Sequence, residues 1–162
     1  GGAPPGRAAR GAPGPRSLPG WNAAVSAASR AARWRLSLAL VADMREETRF
    51  GGSAALRPDL VSFNALMDGC RRAAQWERTV SLLSALPAFR VAPDVVSFST
   101  ALTACSAGRR WSEALRLFRR MLELRIRPDV VSCSAAIGGC EKASLWAGAL
   151  SLLQGMWTSR CA

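Results

Sequence analysis

One period runs through this chain and limits what it can become. Pro58-Asp59, Pro93-Asp94 and Pro128-Asp129 stand 35 residues apart, twice over. Cys70, Cys105 and Cys140 keep that spacing, as do Trp76, Trp111 and Trp146, and Val61-Ser62, Val96-Ser97 and Val131-Ser132. Independent features sharing one spacing mark a repeat architecture, in which each unit is too small to bury its own apolar surface and must stack on its neighbours. A shift of 42 recovers a degenerate first copy: Trp21-Asn22 aligns with Phe63-Asn64, Trp34 with Trp76, and Leu40-Val41 with Leu82-Leu83. The extra residues fall within 45–57, around Gly51-Gly52, and are expected between a helix end and the Pro-Asp pair. The array therefore divides into 18–59, 60–94, 95–129 and a truncated 130–162.

Within a unit the apolar spacing is helical. Phe63, Leu66, Met67 and Cys70 follow i, i+3, i+4, i+7 and form one face. Trp76, Val80, Leu83 and Leu86 form a second face, with Thr79 and Leu82 beside it. The next copy has Phe98, Ala101, Leu102 and Cys105, then Trp111, Ala114, Leu115, Phe118 and Met121. The residues between the stripes suit a tight helix–helix turn, with Gly108 expected to ease one of them. Pro stops each preceding segment, and the Asp after it is placed to cap the next helix. Helices of about 12 residues are marginal alone. The fold class expected is all-α, a right-handed α-solenoid of stacked helix–turn–helix repeats. The recurring Trp is expected in the core, and Cys70, Cys105 and Cys140 as small buried thiols. Adjacent helices stand about 10 Å apart, too far for disulfides, so the thiols are expected reduced.

Composition excludes much chemistry. The 162 residues contain no His, which removes Ser-His-Asp and Cys-His catalysis and any His-containing zinc site. The five Cys contain no C-x-x-C pair. No catalytic residue, cofactor or metal site is expected, and no apolar run reaches the roughly 20 residues that span a bilayer. The net charge is +11, carried by Arg except for Lys142, with the richest stretch in 95–129. That sign favours polyanions. Residues 1–17 are rich in Gly, Pro and Arg without an acid, and are expected to be a disordered linker or targeting remnant. A chain that opens Gly-Gly and leaves an apolar face after Met156-Trp157 is expected to be processed or part of a longer array.

The copies LVSFNALMDGCRRAAQWERTVSLLSALPAFRVAPD (60–94), VVSFSTALTACSAGRRWSEALRLFRRMLELRIRPD (95–129) and VVSCSAAIGGCEKASLWAGALSLLQGM (130–156) resemble pentatricopeptide (PPR) repeats of the P type along their whole length. Tetratricopeptide repeats differ in period and in requiring Tyr, which this chain lacks. The resemblance implies single-stranded RNA binding, one base per repeat. It implies that the fifth residues, Asn22, Asn64, Ser99 and Ser134, read the base edge, assisted by the last residues, Asp59, Asp94 and Asp129. It also implies that the second residues, Val61, Val96 and Val131, pack against bases; the first copy has Pro19 there. By the family's code the target is U-U-G-N. The thirteenth residues Arg30, Arg72 and Lys142 are the candidates for phosphate contact, with Ala107 in the third copy and Arg109 and Arg110 as possible substitutes. Organelle RNA processing, stability or translation, in chloroplast or mitochondrion, is the implied setting, with a monomeric chain and room for RNA-processing protein partners. The competing expectations are a protein-binding α-solenoid scaffold, or the PPR portion of a larger RNA-processing enzyme. From the residues alone, the Asp could be plain helix caps and the valines plain packing between repeats.

Overall fold

The computed structural model describes residues 17–49 and 57–142, with side chains to 46 in the first segment and to 139 in the second. Among the described residues seven α-helices follow in order: α1 Leu18–Arg30, α2 Trp34–Arg49, α3 Leu60–Arg72, α4 Trp76–Ala85, α5 Val95–Ala107, α6 Trp111–Glu123 and α7 Val130–Lys142. No strand occurs among the described residues. The first helix of every unit is 13 residues long and starts directly after the residue at the Asp position. The remainder of the first 17 residues and the end of the fourth unit lie outside the described residues.

Helix starts are set chemically. Asp59, Asp94 and Asp129 each sit in extended or non-helical backbone and accept the N–H of the Ser three residues on, at 2.9, 2.9 and 2.7 Å. Ser17 replaces Asp before α1 and accepts the Gly20 N–H more weakly, at 3.4 Å. Each such cap satisfies an orphan donor and stabilises a helix by about 1 kcal/mol. At Asp94 the Ser97 hydroxyl also accepts the Asp94 N–H, completing a capping box. The second helices α4 and α6 begin at Trp with no side-chain cap, so they depend on packing.

The hairpin turns depart from the sequence expectation. α1, α3, α5 and α6, and the 3-10 turn that follows α4, each end with a left-handed residue other than Gly: Ala32, Ala74, Arg109, Arg125 and Arg90 have φ between 54° and 58°. The Gln75 N–H reaching Cys70 O at 2.8 Å, and Arg110 N–H reaching Cys105 O at 2.8 Å, are the six-to-one bonds of Schellman motifs. Gly108 has φ −77° and does not supply the turn. Its missing Cβ serves packing, since a Cβ there would lie 2.8 Å from Trp76 Cδ1. A left-handed L-residue costs roughly 1–2 kcal/mol, partly offset by the greater unfolded-state entropy of Gly. Ala74→Gly is therefore expected to stabilise the array by about 0.5–1 kcal/mol. A thermal melt with a lower midpoint for this variant would contradict the turn geometry.

The stacking follows from which helices touch. First helices pack in series, α1 on α3, α3 on α5 and α5 on α7, while each second helix packs on its own first helix and on the first helix of the next unit. Close approach between first helices is secured by small residues: a Cβ on Gly69 would lie 3.0 Å from the Cα of Ser29. Beside it, the Ser29 and Ser37 hydroxyls bond to each other at 3.1 Å in the interior between α1 and α2. The result is the all-α, stacked hairpin solenoid that the period called for, with first helices forming one continuous row.

The stripes meet in a core shared between units. Phe63, Met67, Leu83, Leu86, Phe98, Leu102, Cys105, Phe118, Met121 and Cys133 belong to one buried cluster that spans three hairpins. Val25, Val41, Leu66 and Cys70 form a second, between the first two. Two expectations are corrected. Trp76 is half-buried and Trp111 exposed at 38%, so the recurring Trp is not a core residue. Trp76 lies against the following hairpin's turn, with Gly108 beside it and the Arg110 guanidinium 4.8 Å above its ring. Trp34 is covered likewise by Arg78, at 4.2 Å. Second, α4 stops at Ala85, and Leu86 begins a 3-10 turn, Leu86–Phe89, with Pro87 inside it. The extra residues of the first unit also begin inside a helix, because α2 continues to Arg49; residues 50–56 lie outside the described ones. Cys70, Cys105 and Cys133 are buried free thiols. Burial pushes the Cys105 thiol up to about 11, and Cys70 and Cys133 in the same direction, so none forms thiolate readily. Cys140 lies outside the described side chains.

Candidate nucleic-acid interface

The residues singled out for base contact lie near the N-terminal ends of the first helices, where the Asp caps also sit. Val61, Val96 and Val131 are exposed at 57%, 54% and 54%. Large aliphatic side chains left in water at the same register of three adjacent helices are not packing between repeats. They make an apolar row on the face formed by the first helices.

Beside that row, side chains bond across unit boundaries. The Asn64 amide donates from Nδ2 to Asp94 Oδ1 at 3.2 Å, and its Oδ1 accepts the Ser97 hydroxyl at 2.7 Å. One unit earlier, Asn22 Nδ2 donates to Asp59 Oδ1 and Oδ2 at 3.2 and 3.3 Å. The Ser62 hydroxyl donates to Asn22 Oδ1. A carboxylate only accepts, so the amide nitrogen must face the Asp and the amide oxygen the Ser. Each Asn is thus half-buried and oriented from two sides, while one amide hydrogen and one oxygen lone pair remain for a ligand. Burial raises the Asp94 pKa, but the Ser97 N–H and hydroxyl and the Asn64 amide outweigh it and hold the carboxyl below its ordinary value.

The third unit differs. Ser99 is 8% exposed and donates to Val96 O at 3.2 Å, with no bond to Asp129. Asp129 receives the Ser132 N–H and hydroxyl, at 2.7 and 2.6 Å. A hydroxyl is too short to reach where the longer Asn amide reaches. Ser134 is exposed on α7. The structure thus joins Asn22 with Asp59 and Asn64 with Asp94, but leaves Ser99 and Asp129 apart.

The cations divide by their partners. Arg30 is exposed at the end of α1 and forms no ion pair with another described residue. Arg72 donates to Asp68 at 2.7 Å and Arg71 to the same carboxylate at 2.6 Å. Burial raises the Asp68 pKa, and the bonds from Arg72 and Arg71 more than reverse that, leaving it below its ordinary value. Arg72 is accordingly half-neutralised. The Lys142 side chain lies outside the described residues. Arg110 covers Trp76 and does not substitute for Ala107, while Arg116 and Arg120 pair with Glu113 and Glu123 on α6. A basic feature missed at the level of sequence is a cleft of about 240 Å³ between the first two hairpins, lined by Arg45, Arg57, Pro58, Ala88, Phe89 and Arg90. Arg45 stacks over Phe89 at 4.8 Å. No spacing rule connects these arginines; the fold gathers them from three segments. Among the described residues there is no cluster of metal-ligating side chains, and no helix is long and apolar enough to cross a membrane.

The chain matches the PPR repeat family over residues 93–142 and the PPR repeat over 61–89 and 131–161. No curated protein matches it in sequence. Among solved structures it is similar to the maize pentatricopeptide repeat protein PPR10, with 21% identity over 90% of this chain and a TM-score of 0.75. It is also similar to PPR10 in complex with an 18-nucleotide psaJ RNA element, with 31% identity over 88% of this chain and a TM-score of 0.71. The chain spans 20% of the length of each of those proteins. The period, the Asp-capped stacked hairpins and these matches agree, and the chain belongs to the pentatricopeptide repeat family.

Proposed function

We propose that this chain is a single-stranded RNA-binding module that reads one base per repeat. The observation that carries the reading is the pair of cross-repeat networks, in which Asn22 and Asn64 are each held by the next unit's Asp and Ser. They stand beside an exposed valine row that offers a sequence-tolerant surface for base faces. A fixed amide presents one donor and one acceptor side by side, which complements the O4 and N3–H of uracil. At the third position Ser99 turns to Val96 and stands apart from Asp129, so the preference for guanine there follows from the family's code alone. The target is U-U-G-N, with Arg30 and the arginine cleft supplying backbone charge. The module has no catalytic role of its own. Its setting, by family, is organelle RNA processing, stability or translation, in company with RNA-processing proteins.

The direct test is fluorescence-anisotropy titration of a U-U-G-containing oligoribonucleotide against a scrambled one over a salt series. Tighter binding of the first supports the reading, and equal affinity removes the code. Affinity that is independent of salt, or absent at low salt, points instead to a protein-binding scaffold. Asn64→Ser is expected to move the second-base preference from U towards G. Arg30→Gln is expected to flatten the plot of log affinity against log salt by about 0.7, the increment for one phosphate contact on a single strand. An unchanged slope would place Arg30 off the RNA path.

A further inference from the structure

We infer that the third residue of each repeat acts on the base read by the repeat before it: Ser62 and Ser97 are positioning residues that choose which way the Asn22 and Asn64 amides face. The inference rests on the RNA-binding reading above and adds to it the residue that sets pyrimidine identity.

A primary amide is nearly symmetric in shape, and turning it by half a revolution exchanges donor and acceptor. In one orientation it pairs with the acceptor O4 and donor N3–H of uracil. In the other it pairs with the donor N4–H₂ and acceptor N3 of cytosine. Discrimination between the two pyrimidines at an Asn position therefore equals control of amide orientation. Asp94 alone anchors one end, through a single 3.2 Å bond. The Ser97 hydroxyl holds the other end, at 2.7 Å to Asn64 Oδ1, and only an oxygen acceptor can face a donated hydroxyl hydrogen. Ser97 is fully buried and is itself placed by Asp94, with its oxygen 2.9 Å from Asp94 Oδ1. The same three-residue arrangement recurs at Asn22, Asp59 and Ser62, where Ser62 is also fully buried. In the third unit the Ser132 N–H and hydroxyl both go to Asp129, no Asn is there to receive the hydroxyl, and Ser99 turns to Val96 instead. Helix capping is common to all three Ser; the bond back to the preceding repeat is specific to two.

That difference separates a positioning role from capping. Ser62→Ala, Ser97→Ala and Ser132→Ala all remove a hydroxyl beside a helix cap. Affinities are measured on the folded variants for oligoribonucleotides with U or C at the first, second or third position. Ser97→Ala is expected to lower the U-over-C ratio at the second position by roughly threefold to tenfold, the worth of one hydrogen bond. Ser62→Ala is expected to do so at the first position only, and Ser132→Ala at neither. Unchanged ratios in Ser62→Ala and Ser97→Ala, or equal losses in all three variants, would overturn the inference. A readout free of RNA keeps the two readings apart: hydrogen exchange of the Asn64 side-chain amide by NMR. In the free protein this exchange is expected to accelerate severalfold in Ser97→Ala and to stay unchanged in Ser132→Ala. If RNA fails to bind, the functional reading falls while this measurement still decides the lock; equal exchange in wild type and Ser97→Ala would sink it.

Discussion

Phe118→Ala is expected to cost about 3–5 kcal/mol of stability and to leave the array largely unfolded near physiological temperature. Phe118 is fully buried on α6 and belongs to the cluster that takes residues from three consecutive hairpins, from Phe63 on α3 to Cys133 on α7. In a stacked array each unit is stable only through its interfaces, so a void there weakens the neighbours on both sides. Thermal or urea denaturation followed by circular dichroism measures the effect. Val96→Ala is the control: the side chain is exposed, and its loss is expected to change stability by no more than about 0.5 kcal/mol. Comparable midpoints for the two variants would mean that the cluster spanning the hairpins is not the source of cohesion.

Asp94→Ala combines a structural and a functional loss. Asp94 Oδ1 accepts the Ser97 N–H and the Asn64 amide, and lies 2.9 Å from the Ser97 hydroxyl oxygen. Removing the carboxylate takes away the α5 cap and one anchor of Asn64, a destabilisation of about 2 kcal/mol. Loss of base preference at the second position is expected with it. Asp94→Asn separates the two effects, because Asn caps a helix about as well as Asp. It presents either an oxygen or an NH₂ to Asn64, so stability is expected to persist while the choice of U over C weakens to what Ser97 alone imposes. Undiminished choice in Asp94→Asn would remove the carboxylate from the reading mechanism. The same network sets a pH dependence. Because the Asp94 carboxyl is held below its ordinary value, its contribution is fully present above the unfolded-state pKa of about 4. It is lost as pH falls through the lower folded value, so acid titration is expected to weaken the junction between the second and third hairpins.

Much of this protein was readable as a string of letters. The 35-residue spacing located α3, α5 and α7, and the shift of 42 located α1, because a cap residue followed by an i, i+3, i+4, i+7 stripe is a local instruction. Phe63, Leu66, Met67 and Cys70 were all placed in the core for that reason. Trp76 was not placed correctly. Periodicity assigns a residue to a helix face but says nothing of how deep that face lies, and Trp76 sits at a hairpin junction, between its own unit and the next turn. Gly108 misled in a similar way: its composition suggested a turn, while the backbone bends at Arg109 and the Gly makes room for an indole.

The divide between the two kinds of information is one of distance along the chain. Caps, stripes and turn positions act within about a helical turn or two, so neighbouring residues dictate them and a reader of the sequence can recover them. The bonds from Asn22 to Asp59 and from Asn64 to Asp94 join residues 37 and 30 positions apart. The arginine cleft draws on three segments, and Ser99 is withdrawn from Asp129 by a difference in side-chain length. Such relations come into being when one hairpin settles against another, since the spacing and tilt of that contact decide which polar atoms fall within three ångströms of each other.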